Sequence, residues 1–290
     1  MDEQYRGYLR DGEQAGMRYS LEVPREAMRG ETGIQTGNLA GASLDFKDYR
    51  EYQPGDDLRR IDWSVYGRSD MLIVKLFREE VCPHIDIIID CSRSMALPGS
   101  RKTAGVLGLA AVMAAAAANA RCSHAAWMIR EGVHPVMNGT DSPGAWTGIT
   151  FESSETLDRA WHTMPARWRK NGMRVLISDL LWAGDPLQSM RIAAENAAAL
   201  TVIQVSARTD IEPTRRGNTR LTDMETGEEL EVFIDAVVEK RYREAVRRHQ
   251  QSWYRACRQV GAVMVPMIAE DIVETWQLNE LQKNRILGVA

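Results

Sequence analysis

A five-residue segment of the chain groups side-chain oxygens of the kind that bind small hard cations. In DCSRS, Asp90 supplies a carboxylate, and Ser92 and Ser94 supply hydroxyls at alternate positions of one turn. Such oxygens suit Mg²⁺, which prefers octahedral oxygen ligands at about 2.0–2.1 Å. A second carboxylate, Asp179, ends a separate apolar run, MRVLISD. These four residues are the candidate metal ligands, for Mg²⁺ or another divalent cation such as Mn²⁺ or Ca²⁺.

Both carboxylates follow predicted strands, since DCSRS continues directly from the apolar run HIDIIID. In doubly wound sheets, ligands bind beyond the carboxyl ends of the strands. We therefore expect Asp90 and Asp179 to be neighbours at the same end of the sheet. An alternative stays open: Asp90 caps its own turn, and the two serines cap the next helix.

Other chemistries lack a residue that they need. A thiol phosphatase built on Cys91 requires an arginine six residues later to hold phosphate, and Leu97 stands there. The glycine-rich stretch GETGIQTGNLAG, residues 30–41, lacks the Gly-Lys-Ser/Thr ending of a phosphate-binding loop. No nucleophile-elbow pattern supports a serine hydrolase. We therefore predict no catalytic residues and a protein that is not an enzyme.

Strands and helices alternate from Pro83 onward, which favours an α/β fold with a doubly wound, mostly parallel sheet of about six strands. The two strands on either side of Glu131-Gly132 are too close for a parallel crossover, which needs about a dozen residues. One of them is therefore predicted to be an antiparallel edge strand. Pro266 puts the last predicted strand, VMVPMI, at a sheet edge. Helices are predicted over residues 151–164 and, closing the chain, over residues 270–282.

Two domains are predicted: an N-terminal extension over residues 1–80 that packs on the main domain, and the α/β domain over residues 81–290 with a hairpin insertion near 211–234. Within the extension, residues 45–63 are dense in charge and aromatic rings. Their alternating signs favour a clasp with local ion pairs, and a partner-docking surface is the alternative. The long helix predicted over 237–260 has a basic face, either simply solvated or meeting an acidic partner.

Composition excludes several classes of protein. The chain has 290 residues, of which 44% are hydrophobic and 26% charged, as in globular domains. Its net charge of −4 argues against a nucleic-acid partner, and its four scattered cysteines argue against a disulfide framework. The charged N-terminus does not resemble a signal peptide. Residues 103–120, mostly alanine, are predicted to form a buried helix rather than a membrane span, so we expect a cytoplasmic protein.

Two resemblances extend these inferences. Asp-x-Ser-x-Ser after a strand, with a later strand-terminal aspartate, resembles the metal-ion-dependent adhesion site of von Willebrand factor A-type domains. The stretches FKDYREYQPGDDLRRIDW, KLFREE and LTDMETGEELEV are similar to the bacterial family called domain of unknown function 58. This resemblance runs from about Gly37 to Val265. It implies a von Willebrand factor A-like fold with a family-specific N-terminal extension.

The resemblance also implies a mechanism. The two serines would bind the metal through their hydroxyls, and the two aspartates would bind it directly or through water. The threonine that usually completes such a site has no single counterpart here, and the candidates at its place are Ser154, Glu155 and Thr156. Relatives are commonly encoded beside MoxR-type AAA+ ATPases, which implies such an ATPase, or its client, as the partner. A partner carboxylate would then occupy the open metal position.

The leading hypothesis is therefore a non-enzymatic interaction module that acts with such an ATPase in protein assembly or maturation. A metal-dependent hydrolase of the phosphatase type is the second, because the same oxygen cluster can hold Mg²⁺ for phosphoryl chemistry. A scaffold without metal is the third.

Overall fold

The fold was obtained as a computed structural model that describes residues 3–24, 44–79, 83–164, 168–182, 184–212, 216–224 and 227–290. The glycine-rich stretch at 30–41 lies outside these residues. The described strands are β1 Tyr19–Leu21, β2 Leu44–Glu51, β3 Ile73–Glu79, β4 His84–Asp90, β5 Ser123–Arg130, β6 Gly132–Pro135, β7 Met173–Ser178, β8 Ala199–Ser206, β9 Gly217–Thr222, β10 Glu229–Ile234, β11 Val263–Ile268 and β12 Leu287–Val289. The described α-helices are α1 Glu3–Gly16, α2 Trp63–Ser69, α3 Lys102–Asn119, α4 Leu157–Thr163, α5 Pro186–Ala194, α6 Arg208–Ile211, α7 Ala236–Gln259, α8 Ala269–Thr275 and α9 Asn279–Lys283.

A mostly parallel sheet forms the centre, as the alternating pattern predicts. Among the described residues it has six strands in the order β11-β8-β7-β4-β5-β6. Every pairing is parallel except β5 with β6, which is the predicted antiparallel edge. β11, with Pro266, is the other edge. β4 lies between β5 and β7 with its isoleucines fully buried, because helices cover both faces of a parallel sheet.

The C-terminal region differs from the sequence prediction. A single closing helix over 270–282 is wrong: α8 ends at Thr275, and Trp276 follows in a left-handed conformation at φ 53°, which stops the helix. α9 and β12 come after it. VMVPMI is therefore not the last strand, since β12 pairs antiparallel with β1. The helix predicted over 151–164 is also shorter, because the chain before Leu157 is extended beside the site.

Contacts among the described residues divide the chain into two compact units, Met1–Ala27 with Pro83–Ala290, and Met28–Cys82. The first helix and strand thus belong to the sheet unit, whereas the sequence grouped them with residues 28–80. The charged residues of the N-terminal segment do not indicate this division. It depends on the contact of Gly12 in α1 with Gly108 in α3, which are distant in sequence. Packing of the remaining extension on the sheet unit stays a prediction.

The smaller unit contains the antiparallel strands β2 and β3, and α2 lies in the segment that connects them. Local ion pairs within residues 45–63 are present as predicted: Arg50 with Asp56 at 2.6 Å, and Arg59 with Asp57 at 3.0 Å. Lys75, in β3, also pairs with Asp62 at 3.0 Å. Asp62 also caps α2, because its side chain accepts from two backbone N–H groups. Lysine pairing and these two bonds hold the pKa of Asp62 below its ordinary value. The hairpin predicted near 211–234 is also confirmed, as β9 and β10.

α3 is the core helix of the sheet unit. By length and composition it is the one helix in the described ranges that could cross a membrane, and 78% of its apolar window is buried in the protein. α1 lies across it where two glycines meet. A methyl group added at Gly12 would overlap the carbonyl group of Gly108, and one added at Gly108 would overlap the ring of Trp276. α1 can approach α3 this closely only because Gly12 lacks a Cβ atom, and the ring of Trp276 can pack on α3 only because Gly108 lacks one.

This contact predicts opposite effects for two alanine substitutions in one helix. Gly12→Ala should lower the free energy of unfolding by about 1–3 kcal/mol, because the methyl group forces α1 off α3. Gly7→Ala should raise it by about 0.5–1 kcal/mol, because nothing lies within 4 Å of its Cβ position and alanine favours a helix. Urea unfolding measures both. Equal effects would show that α1 does not depend on this contact.

Three cysteines, Cys91, Cys122 and Cys257, are buried with free thiols. Burial raises the pKa of Cys257 to about 12 and that of Cys91 well above its ordinary value. Because the thiolate is the reactive form, neither is suited to nucleophilic chemistry.

The same burial predicts that these thiols do not react with a thiol reagent while the protein is folded. Cys82 lies outside the described residues, so the assay uses Cys82→Ser protein. At pH 8 the remaining thiols should react with Ellman's reagent only as fast as the protein unfolds, and fully in guanidinium chloride. Fast reaction of even one thiol in the folded protein would contradict the burial.

Candidate functional site

The turn after β4 presents two hydroxyls side by side. The backbone N–H of Ser92 donates to Asp90 Oδ1 at 2.9 Å, so Asp90 does cap its own turn, as the alternative interpretation states. Ser92 precedes a short 3₁₀ helix, but its hydroxyl makes no capping bond there. Instead the Oγ atoms of Ser92 and Ser94 lie 3.0 Å apart. Neither Ser92 nor Ser94 caps helix α3, since Arg101 precedes it and the N–H of Lys102 donates to the hydroxyl of Ser100 at 3.4 Å.

The end of β7 lies beside this turn, as predicted from strand order. The hydroxyl of Ser178 donates to Asp90 Oδ2 at 2.6 Å, linking the two strands directly. Asp179 is held by a bond from the N–H of Leu181 to its Oδ1, at 3.0 Å. Between Asp179 and Leu181, the buried Leu180 has φ 60°, a left-handed conformation that costs a leucine about 1–2 kcal/mol. Such strain concentrates at functional sites, and the sequence analysis missed both Ser178 and Leu180.

A third segment completes the cleft. The backbone of Ser153 pairs with the turn, accepting from the N–H of Arg93 at 2.9 Å and donating to the carbonyl of Cys91 at 3.2 Å. This pairing brings the predicted threonine-replacing segment to the site. The cleft has a volume of about 40 Å³, room for about three waters or a partly hydrated ion. Its polar lining is Asp90, Ser92, Ser94, Ser154, Glu155, Thr156 and Asp179.

A buried lysine is the main feature that the sequence analysis missed. Lys102 is 1% exposed, and its Nζ lies 2.5 Å from Asp179 Oδ2 and 3.2 Å from an Oδ of Asp210. Burial opposes its charge, but the two carboxylates outweigh burial and raise the pKa of Lys102 above its ordinary value. It is therefore an ammonium ion. In the sequence, Lys102 looks like a charged residue that flanks an apolar helix. Its burial becomes evident only from the arrangement of the strands and helices around it.

The surroundings of Asp90 disfavour its charged form. Burial and the neighbouring charge of Asp179 raise the pKa of Asp90 to about 6, against the lowering effect of the bonds from Ser178 and Ser92. Across the described ranges, no cluster of three or more histidine, cysteine, aspartate or glutamate side chains could hold a metal. A cation here would therefore rely on hydroxyls as well as carboxylates.

Comparison with known proteins gives a family and relatives without assigned functions. The family described as "Protein of unknown function DUF58" matches residues 48–252. Uncharacterized proteins of Mycobacterium bovis (Mb1516) and Mycobacterium tuberculosis (Rv1480) are each 23% identical over 258 residues, covering 81% of this chain and 78% of the relative.

Two solved structures are also similar to part of the chain. The conserved hypothetical protein BatB from Bacteroides thetaiotaomicron is 14% identical with a TM-score of 0.36, covering 69% of this chain and 98% of that one. An aerotolerance-related membrane protein from Bacteroides fragilis, carrying multiple mutations to serines, is 11% identical with a TM-score of 0.33, covering 69% and 99%. With the family match spanning most of the chain, this protein belongs to the DUF58 family.

Proposed function

We propose that this protein is a non-enzymatic interaction module that binds a divalent cation, Mg²⁺ or alternatively Mn²⁺ or Ca²⁺, in the cleft at the end of β4 and β7. The cation would bridge to a carboxylate of a partner protein. The family resemblance favours a MoxR-type AAA+ ATPase or its client as that partner, and a von Willebrand factor A-like arrangement of the sheet.

The observation that carries this proposal is the pair of serine hydroxyls in the cleft. Two adjacent ligands of an octahedral Mg²⁺ ion at about 2.1 Å lie about 3.0 Å from each other. The Oγ atoms of Ser92 and Ser94 have this separation, 3.0 Å. The Ser92 hydroxyl caps no helix and instead forms a hydrogen bond with that of Ser94; a hydroxyl oxygen has two lone pairs, so it can still accept a cation. Asp90 and Asp179 line the same cleft, where carboxylates bind the ion directly or through its waters.

Charge balance supports a divalent ion. Asp90, Asp179 and Asp210 are three carboxylates, and Lys102 is one ammonium, which together carry a formal charge of −2. One divalent cation would neutralise this group. Buried unbalanced charge is costly, so the cleft favours cation entry, and the exposed rim at Leu181 leaves it open to solvent.

The reduced, buried cysteines are consistent with a cytoplasmic location, because thiols stay reduced there. In that compartment Mg²⁺ and ATPase partners are both accessible to the cleft. The location remains part of the proposal.

The buried lysine favours one alternative, a scaffold without metal. Its ammonium already pairs with Asp179 and Asp210, so Lys102 could serve in place of a metal ion. The two functions differ in what an added divalent cation does, and two experiments separate them.

The first experiment removes the hydroxyls. At 100 times its dissociation constant, Mg²⁺ should stabilise the wild-type protein by about 2.7 kcal/mol relative to EDTA. Ser92→Ala with Ser94→Ala should abolish this gain, while the exposed-site control Ser142→Ala with Ser252→Ala should keep it. Thermal unfolding measures the stability, and capture of the purified MoxR-type ATPase in Mg²⁺ against EDTA measures the partner. A gain that survives loss of both cleft hydroxyls would overturn the proposed ligand set.

The second experiment removes the ammonium. Lys102→Met should cost about 3–5 kcal/mol in EDTA, because buried Asp179 and partly buried Asp210 lose their partner. If the cleft binds metal, Mg²⁺ should restore part of this loss, since the variant's formal charge becomes more negative. A scaffold without metal predicts no recovery. Lys170→Met, at an exposed position, is the control and should change neither value.

A further inference from the structure

The outer face of α7 is a stripe of exposed cations. Along this 24-residue helix, Trp253 and Cys257 are buried, and the ring of Trp182 packs edge-on against Trp253 with centroids 5.0 Å apart. This packing fixes which face is turned to solvent. At 3.6 residues a turn, the opposite face carries the residues that we call the basic stripe: Lys240, Arg241, Arg247, Arg248, Arg255 and Arg258.

The basic stripe is only partly matched by acidic residues of its own helix, where Glu244 lies on the same face, four residues from Lys240 and from Arg248. α7 contains seven basic and two acidic residues, an excess of five positive charges in a chain whose net charge is −4. Arg243, at its margin, pairs with Glu239 at 2.7 Å. The six stripe residues form no ion pair with any residue in the described ranges. From Lys240 to Arg258 the stripe extends about 27 Å at 1.5 Å a residue.

Repulsion within the stripe is a cost that a partner would relieve. Like charges three or four residues apart, such as Arg255 and Arg258, destabilise a helix. Glu244 supplies one negative charge on this face, which leaves an excess of five positive charges over the six stripe residues. An anionic surface laid along the stripe would offset the remaining repulsion.

The side chains favour a protein as the source of that charge. Five of the six cations are arginines, whose planar guanidinium binds carboxylates through two parallel hydrogen bonds. Tyr254, 51% exposed on the same face, and Phe233, 63% exposed just before α7, offer the aromatic contacts typical of protein interfaces.

A membrane or nucleic acid fits less well. A helix that lies in a membrane surface turns its apolar face to the lipid, but the C-terminal part of the apolar face of α7, with Trp253, Ala256 and Cys257, is buried in the protein. A nucleic-acid binder usually has a basic excess over the whole domain, and this chain is acidic overall.

We propose that the basic stripe of α7 is a docking surface for a carboxylate-rich surface of a partner protein. It acts independently of any cation in the cleft, so it stands even if the cleft binds no metal.

The test uses the full chain in EDTA with fluorescein-labelled poly-L-glutamate as the probe, and fluorescence anisotropy as the readout. Arg247→Glu, Arg248→Glu and Arg255→Glu together should weaken binding by at least about tenfold, since each 1.4 kcal/mol is tenfold. The matched control reverses three exposed cations outside α7: Arg10→Glu, Lys170→Glu and Arg191→Glu. It makes the same change in net charge and should alter affinity by no more than about twofold.

Equal losses in the two triple variants would overturn the proposal, because net charge alone would then explain binding. Tighter binding of phosphatidylglycerol vesicles or of duplex DNA than of polyglutamate, with the same dependence on the stripe, would overturn the choice of a protein partner. If the charge-reversed stripe variant unfolds, the triple Arg→Gln variant replaces it, since glutamine has a similar helix propensity. A polyglutamate affinity unchanged by that variant would also refute the proposal.

Discussion

A buried ammonium holds the polar end of the sheet together. Lys102 begins α3, while its partners Asp179 and Asp210 follow β7 and lie in α6, so three segments distant in sequence share one set of charges. Removing Lys102 would leave two carboxylates without their counter-charge, at a cost of several kcal/mol. The segments are therefore constrained to assemble together. The orientation of Asp179 in the cleft follows from this constraint, because the ammonium holds one of its oxygens and a backbone N–H holds the other.

The sequence predicts the sheet well because its strands are continuous apolar runs, which are the clearest pattern in the sequence. HIDIIID and MRVLISD are apolar runs that end in carboxylates, and the fold places them side by side. The short link at Glu131-Gly132 excludes a parallel crossover, so the antiparallel edge follows from chain length alone. Neighbouring parallel strands bring their carboxyl ends together, which is why the carboxylates and hydroxyls of the candidate site meet in one cleft.

What the sequence does not predict depends on contacts between distant residues. Lysines are seldom fully buried, so the inward direction of Lys102 becomes visible only once Asp179 and Asp210 are in place. The close approach of α1 to α3 needs glycine at Gly12, and the packing of Trp276 on α3 needs glycine at Gly108; neither glycine by itself indicates its partner. The left-handed conformation of Leu180 is also hidden, because leucine rarely adopts it. Each of these features is set by tertiary packing rather than by local propensity.

The pairing of β1 with β12 determines when β1 can find its partner strand during synthesis. Tyr19 pairs with Val289, which lies 270 positions later in the chain. A chain grows from its N-terminus, so β1 lacks its partner strand until the intervening residues have been synthesised. An unpaired strand edge is a template for other chains. During synthesis β1 is therefore open to mispairing until β12 has been made and can pair with it.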